Sequence, residues 1–420
     1  LFSSIFCKDQ KCAQLTILVY MQADNNLAPF ALGNMQSMQN AGYNKEINVL
    51  VQWIQPHSKT VNRCFIDFDS MMKIDSILPV QETFCHQTSI VQSMIWAKDK
   101  FPAKYYMLVL WNHGAGIIDH EKYPYSKGFV SQQYQSWIKI PGIEYVQDRG
   151  ILYSDTTRTY LDTKQLGETL KIIKEDVLHK PIDIVGMDAC FMAMLEIGYQ
   201  IKDYARYFVA SQNAESGEGW NYQGLLKALK TKGFDATPLD FAQAVVSTYE
   251  DFYWDKFYFY TQSVVDLSKI KQMKEVVDKI VSNFLYCQQL NKSHFLYMVK
   301  RARSCAVCFD IQLFVDIHSF YKNMLGNSKK YLQENPDKSF SAYSKALENL
   351  NVALEEGMEN VEQVVQANVV GPILKYAKGI SFYFPQKAIH SSYGKTLFAK
   401  ESIWFDFIKI VVGQGNIDLA

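Results

Sequence analysis

The chain of 420 residues sets 43 Lys and Arg against 43 Asp and Glu. No global charge therefore draws it to nucleic acid or to an anionic membrane, and charge-based recognition must be local. With 48% hydrophobic residues it can bury a large core, yet no apolar run is long enough to form a membrane-spanning helix.

Residues 1–13 are polar and irregular, and the sequence opens on Leu1 rather than Met. Removal of a signal peptide, and hence a secreted or periplasmic protein, is the expectation. Leu15 to Tyr20 is a continuous apolar run of strand type, ending in a polar loop that includes Asp24 and Asn25. Helical periodicity follows to about Gly42. Ile47 to Trp53 and Arg63 to Phe68 read as the next strands, and residues 88–100 as a helix that stops before Pro102. Tyr105 to Trp111 is a fourth strand and runs into Asn112, His113 and Gly114. Residues 117–150 are the least patterned part of the chain, and long irregular segments inside compact domains are often functional.

Leu161 to Leu178 returns to helical period. A fifth strand, Asp183 to Met187, delivers Asp188, Ala189 and Cys190. Helical signals at 192–203 precede a sixth strand, Tyr207 to Ser211, and a loop from Gln212 to Trp220. Strands alternating with helices over about 14–267 predict an α/β domain whose mostly parallel sheet is covered on both faces. From 268 to 420 the pattern is mainly helical, with one late strand from Gly379 to Phe384, and this region is expected to pack on the core.

Chemistry gathers at two of these strand ends. In open α/β sheets ligands bind beyond the carboxyl ends of the strands. His113 and Cys190 both sit just past such ends, so neighbouring strands would bring them together as a nucleophile and its base. The thiolate is the attacking species, and an imidazole can take its proton and later deliver it to a leaving amine. The N–H groups of Gly114 and Cys190 are the expected oxyanion donors. The eight cysteines are too sparse for a disulfide-built fold. Cys305 and Cys308 have CxxC spacing but no second pair to complete a zinc site, so a buried thiol pair or a local disulfide is expected there.

Several segments together resemble the clostripain family of cysteine peptidases, relatives of the caspases, legumains and gingipains. They are Tyr20 to Leu27, Phe101 to Tyr106, Leu110 to Gly116, Asp155 to Leu166, Gly186 to Ala193, Ala210 to Tyr222, Val265 to Ser268 and Ser381 to Pro385. Each motif is short, but their order and spacing cover most of the chain. The resemblance implies a caspase-like core and endopeptidase activity after Arg or Lys, with Asp188 as an acid of the substrate pocket. A second acid is expected in the loop after the sixth strand, where Glu215 and Glu218 are the candidates; Glu218, near the place where the family often has Asp, is taken as the substrate-binding one. Asp24 and Asn25 are read as pocket wall or loop support. Relatives are commonly made as zymogens, and Lys122, Lys127, Lys139, Arg149, Arg158 and Lys164 are candidate self-cleavage points.

No cofactor is expected to be required. Some relatives respond to calcium, but no EF-hand-like loop is present, so a calcium site would need dispersed oxygens. The expected partners are peptide or protein substrates bound by a monomer. The competing readings are a transpeptidase or amidase using the same Cys–His pair, and a silent or locked binding module. A nucleotide-binding domain would want a glycine-rich loop after the first strand, where this chain has Met21 to Asn26.

Overall fold

The computed structural model describes residues 12–79, 85–118, 150–232, 235–309 and 312–413. Its frame is a nine-stranded sheet in the order β10-β8-β7-β6-β5-β1-β2-β3-β4. Strand β1 is Ala13–Gln22, β2 Ile47–Ile54, β3 Thr60–Ile66, β4 Met72–Pro79 and β5 Ala103–Trp111. Strand β6 is Ile182–Asp188, β7 Ala205–Ala210, β8 Thr261–Asp266 and β10 Val365–Val370. A separate two-stranded sheet pairs β9, Phe314–Asp316, with β11, Ser381–Tyr383.

The five central strands run parallel, through the pairs β2–β1, β1–β5, β5–β6 and β6–β7. Antiparallel strands flank them on each side. All ten residues of β1 are buried, as a strand covered on both faces requires. Its side chains alternate between two cores. Leu18 and Tyr20 enter one, while Leu15, Ile17, Val19 and Met21 enter the other. Each such aliphatic side chain contributes roughly 1.5–3 kcal/mol by leaving water.

Helix α1 (Ala28–Asn40), α5 (Tyr222–Lys232) and α6 (Pro238–Tyr253) cover the face fed by Leu15 and Val19. The other face receives α2 (His86–Lys100), α3 (Thr163–Ile172) and α4 (Leu195–Ile201). The same core takes in residues from the later helices α7 (Ile270–Leu290), α8 (Lys292–Cys305), α9 (Ile317–Glu334), α10 (Ala342–Val364), α11 (Leu397–Glu401) and α12 (Trp404–Val412). The region after residue 268 is mainly helical, yet it does more than cover the sheet, because β10 hydrogen-bonds to β8 and forms one edge. The other edge, β4, was not anticipated from sequence. Its Met-Lys-Ile-Asp-Ser-Ile-Leu-Pro run is only half-buried and is broken in register opposite Arg63 and Cys64, so it lacks the apolar signature of its neighbours.

Candidate active site

Strands β5 and β6 are adjacent and in register, with Trp111 opposite Asp188, so the residues that follow them emerge side by side. Asn112 fixes the exit from β5. Its backbone N–H donates to the Asp188 carbonyl at 3.3 Å, and its side-chain oxygen accepts from the N–H of His113 at 2.6 Å. The Asn112 amide reaches the carbonyl of Gln22 at the end of β1, and that of Tyr153 at 3.2 Å. Gly114 then passes against the other strand's exit, where an added Cβ would lie 2.4 Å from the Cys190 carbonyl oxygen. Only glycine allows the two backbones that close.

Cys190 sits on a sharp turn. Phe191, directly after it, has a left-handed φ of +61°, uncommon for a side chain of its size. Hydrogen bonds hold the turn from the far side: Phe191 N–H to Asn213 O at 3.1 Å, and Ala193 N–H to Ser211 O at 2.8 Å. The backbone N–H of Glu215 points at the Cys190 sulfur, 3.2 Å away, a contact that favours negative charge on sulfur.

His113 is half-buried and places Nε2 2.7 Å from Oδ1 of Asn26, in the loop after β1. Desolvation lowers its pKa to about 4, so the imidazole is neutral at neutral pH and able to accept a proton.

Below this edge lies a pair of acids. Asp188 is 4% exposed, and its Oδ2 accepts from the Tyr222 hydroxyl at 2.8 Å and from the Trp220 N–H at 3.2 Å. Glycine is required at 219, where a Cβ would come within 2.8 Å of both Asp188 oxygens and φ is +64°. Burial raises the Asp188 carboxyl to about 6, against the opposing effect of its contacts with Glu215, Tyr222 and Trp220. Burial, and then the charge of Asp188, hold the neighbouring Glu215 carboxyl well above the usual range. Among the described residues no Lys or Arg pairs with either acid. Two facing carboxyls without a cation do not both ionise, so the pair retains a proton.

Of the two candidates for the second acid the sequence reading took Glu218, but it is Glu215 that the structure brings to Asp188. Glu218 is instead exposed, and it is its backbone carbonyl that is engaged, by the Asn34 amide at 2.8 Å. Asp24 and Asn25 are held away from the acid pair. The Asp24 carboxylate accepts from the Thr156 hydroxyl at 2.8 Å and N–H at 3.1 Å, from Ser154, and from the N–H of His57 at 3.3 Å. Asn25 donates to the Tyr153 carbonyl at 2.8 Å and accepts from the Leu27 N–H at 2.9 Å. Both tie the loop after β1 to residues 153–156. Asn26 and Tyr222 were not singled out from sequence, although both lie in motifs quoted for the resemblance.

Of the candidate cleavage points, Lys122, Lys127, Lys139 and Arg149 lie outside the described residues. Arg158 and Lys164 are exposed, with side chains 70% and 73% accessible. Among the described residues no group of three or more His, Cys, Asp or Glu side chains converges as a metal site. No disulfide joins the described cysteines, and the Cys308 sulfur accepts from Arg303 at 3.0 Å.

Comparison with solved structures finds the same fold. A secreted C11 cysteine protease from Bacteroides thetaiotaomicron, in complex with an irreversible peptide inhibitor, superposes with a TM-score of 0.62 at 16% identity, over 95% of this chain and 99% of that one. A second description of a secreted C11 protease from that organism, iotapain, gives 0.61 at 12% identity, over 93% and 99%. An inactive zymogen C11 protease from Parabacteroides distasonis gives 0.59 at 15% identity, over 96% and 99%. Comparison with the curated proteins finds no match. The Clostripain family profile matches residues 19–409, almost the whole length over which the sheet, the Cys190 turn and the His113 exit are built, and the chain belongs to the clostripain family of cysteine peptidases.

Proposed function

We infer that this protein is a cysteine endopeptidase that cleaves after Arg or Lys, with Cys190 as nucleophile and His113 as base. The observation that carries the reading is the convergence, at one edge of the sheet, of a thiol, a neutral imidazole and two buried carboxyls with no cation between them.

The substrate's basic side chain enters toward Asp188 and Glu215, displaces their proton and forms charge-assisted hydrogen bonds. Because Asp188 is buried and the Glu215 backbone lies against the sulfur, the loop 213–219 must shift to admit it. Sulfur attacks the carbonyl carbon as its proton passes to His113. The C–N bond then breaks, and the imidazolium returns the proton to the leaving amine. Water attacks the thioester with His113 again as base, releasing the acid and the thiol. The N–H groups of Gly114 and Cys190 face the developing oxyanion. Secretion and self-cleavage between His113 and Cys190 complete the proposal, supported by the descriptions of the similar structures as secreted and, in one case, as a zymogen.

The test is turnover of fluorogenic peptides ending in Arg, Lys, Asn or Asp, beside Cys190→Ala, with both proteins followed on a denaturing gel. We expect cleavage after Arg and Lys that falls at least about 1,000-fold in the variant. Cleavage after Asn or Asp would reject the basic pocket and keep the Cys–His chemistry. An intact chain with full activity would remove self-cleavage.

A further inference from the structure

The sheet order places β5 between β1 and β6, so His113 at the end of β5 has the β1 loop on one side and the Cys190 turn on the other. The two imidazole nitrogens lie on opposite sides of the ring, and which one carries the proton is set by the bond the other makes. Nε2 is engaged toward β1, by Oδ1 of Asn26 at 2.7 Å. An amide oxygen can only accept, so this contact requires Nε2 to hold a hydrogen.

We propose that Asn26 is the third residue of the site: it holds His113 as the Nε2–H tautomer and turns Nδ1 to the Cys190 thiol as the proton acceptor. Asn26 is thus a positioning residue that never touches substrate. The role rests on the peptidase reading given above. In each half-reaction the thiol or water proton goes to Nδ1 and leaves from Nδ1, while the other hydrogen stays on Nε2, donated to Asn26 Oδ1.

Two features support the assignment. The loop that carries Asn26 is pinned on both sides of it, by Asp24 bound to Thr156 and Ser154 and by Asn25 bound to Tyr153 and Leu27, so the acceptor is held before substrate arrives. Asn26 is also uncharged, so it fixes the ring without adding a counter-charge that would strongly favour imidazolium. Among the described residues, the ionisable groups on the surrounding elements are otherwise committed. Asp24 is held by Thr156, Ser154 and His57 N–H, Asp155 pairs with Arg158, and Asp188 and Glu215 face each other beside Tyr222. Cys190 itself completes the set.

The experiment compares Asn26→Ala, Asn26→Asp and Asn26→Gln with the intact protein. Three readouts are used: peptide turnover across pH, Cys190 alkylation by iodoacetamide, and the His113 ring nitrogens by ¹⁵N NMR, assigned with His113→Gln. In Asn26→Ala we expect kcat and alkylation to fall about 10- to 100-fold, part of what a positioned base supplies, with KM within about 2-fold. The carboxylate of Asn26→Asp should move the acid limb of the pH profile up by roughly one unit, which a merely structural residue would not do. Asn26→Gln should recover part of the loss and keeps the test decisive if the alanine variant fails to fold. Normal kcat in Asn26→Ala, or an unmoved limb in Asn26→Asp, overturns the proposal. If the intact protein cleaves no peptide, the peptidase reading fails and the ring decides alone: an Nε2–H tautomer lost in Asn26→Ala upholds Asn26, and one retained there rejects it.

Discussion

Strand β6 carries a buried aspartate at each end, and the two are treated in opposite ways. Asp183, at the amino end, is fully buried but faces two cations: Lys180 lies 2.9 Å and Arg206 3.7 Å from its oxygens, and the Tyr106 N–H donates at 3.0 Å, although Oδ1 accepts no hydrogen bond. Asp188, five positions later, has a hydroxyl, one N–H and a second carboxyl around it. A buried charge without a counter-charge is costly, and on the function proposed above the cation that Asp188 lacks is the one the substrate brings. The difference teaches where to look along a single strand. On the proposed function the amino end serves stability and the carboxyl end serves the ligand.

The sharpest way to break this comparison is to neutralise each acid in turn. Asp188→Asn should lower kcat/KM for Arg peptides on the order of 100- to 1,000-fold, since the incoming cation then meets only Glu215. It should cost little stability, because Asn still accepts from Tyr222 and Trp220. Asp183→Asn should lose about 1–3 kcal/mol of stability while the folded enzyme keeps its activity. Kinetics and thermal melts on the two variants would sink the argument if their effects were alike.

A smaller effect sharpens it through pH. The folded-state pKa of Asp188 is raised, to about 6, so the folded protein holds a proton that the unfolded chain releases at lower pH. The stabilisation this gives is complete below the unfolded carboxyl range near 4 and is lost as pH rises through about 6. Compared with wild type, Asp188→Asn should therefore gain up to about 3 kcal/mol in relative stability between pH 4 and 7. Glu196, also raised by burial, to about 7, and bonded to the Tyr383 N–H at 2.8 Å, slopes the same way in both proteins, so it cancels in the difference. A difference curve that is flat from pH 4 to 7 would mean Asp188 is already paired.

Much of this was legible in the chain. Apolar runs marked the central strands, because strands buried on both faces need continuous hydrophobicity, and the strand ends marked His113 and Cys190. What stayed hidden depends on distance across the fold. The half-exposed edge β4 has no apolar run, and the pairing of β10 with β8 joins residues about a hundred positions apart. The contact of Asn26 with His113 spans 87 positions, and no local pattern distinguishes Asn26 from Asn25 beside it. Only the fold shows that one faces the ring and the other the Tyr153 carbonyl.

Glu215 and Glu218 give the finest form of the same contrast, since both are glutamates of one short loop. The sequence reading took Glu218 as the pocket acid, because position along a loop does not say which way a side chain turns. The structure separates them by burial: both carboxyl oxygens of Glu215 are shielded from water, whereas Glu218 is exposed and engaged through its backbone. An exposed acid with no fixed partner is worth little, so Glu218→Gln should stay within about 0.5 kcal/mol in stability and within about 2-fold in kcat/KM. Glu215→Gln removes one of two charges facing the substrate cation and should weaken Arg cleavage by roughly 10-fold, one order being the loss of about 1.4 kcal/mol. Should Glu218→Gln instead prove the more damaging, the loop must turn over when substrate binds, bringing Glu218 inward as Glu215 leaves Asp188. The closed arrangement would then be a resting state that the substrate side chain opens.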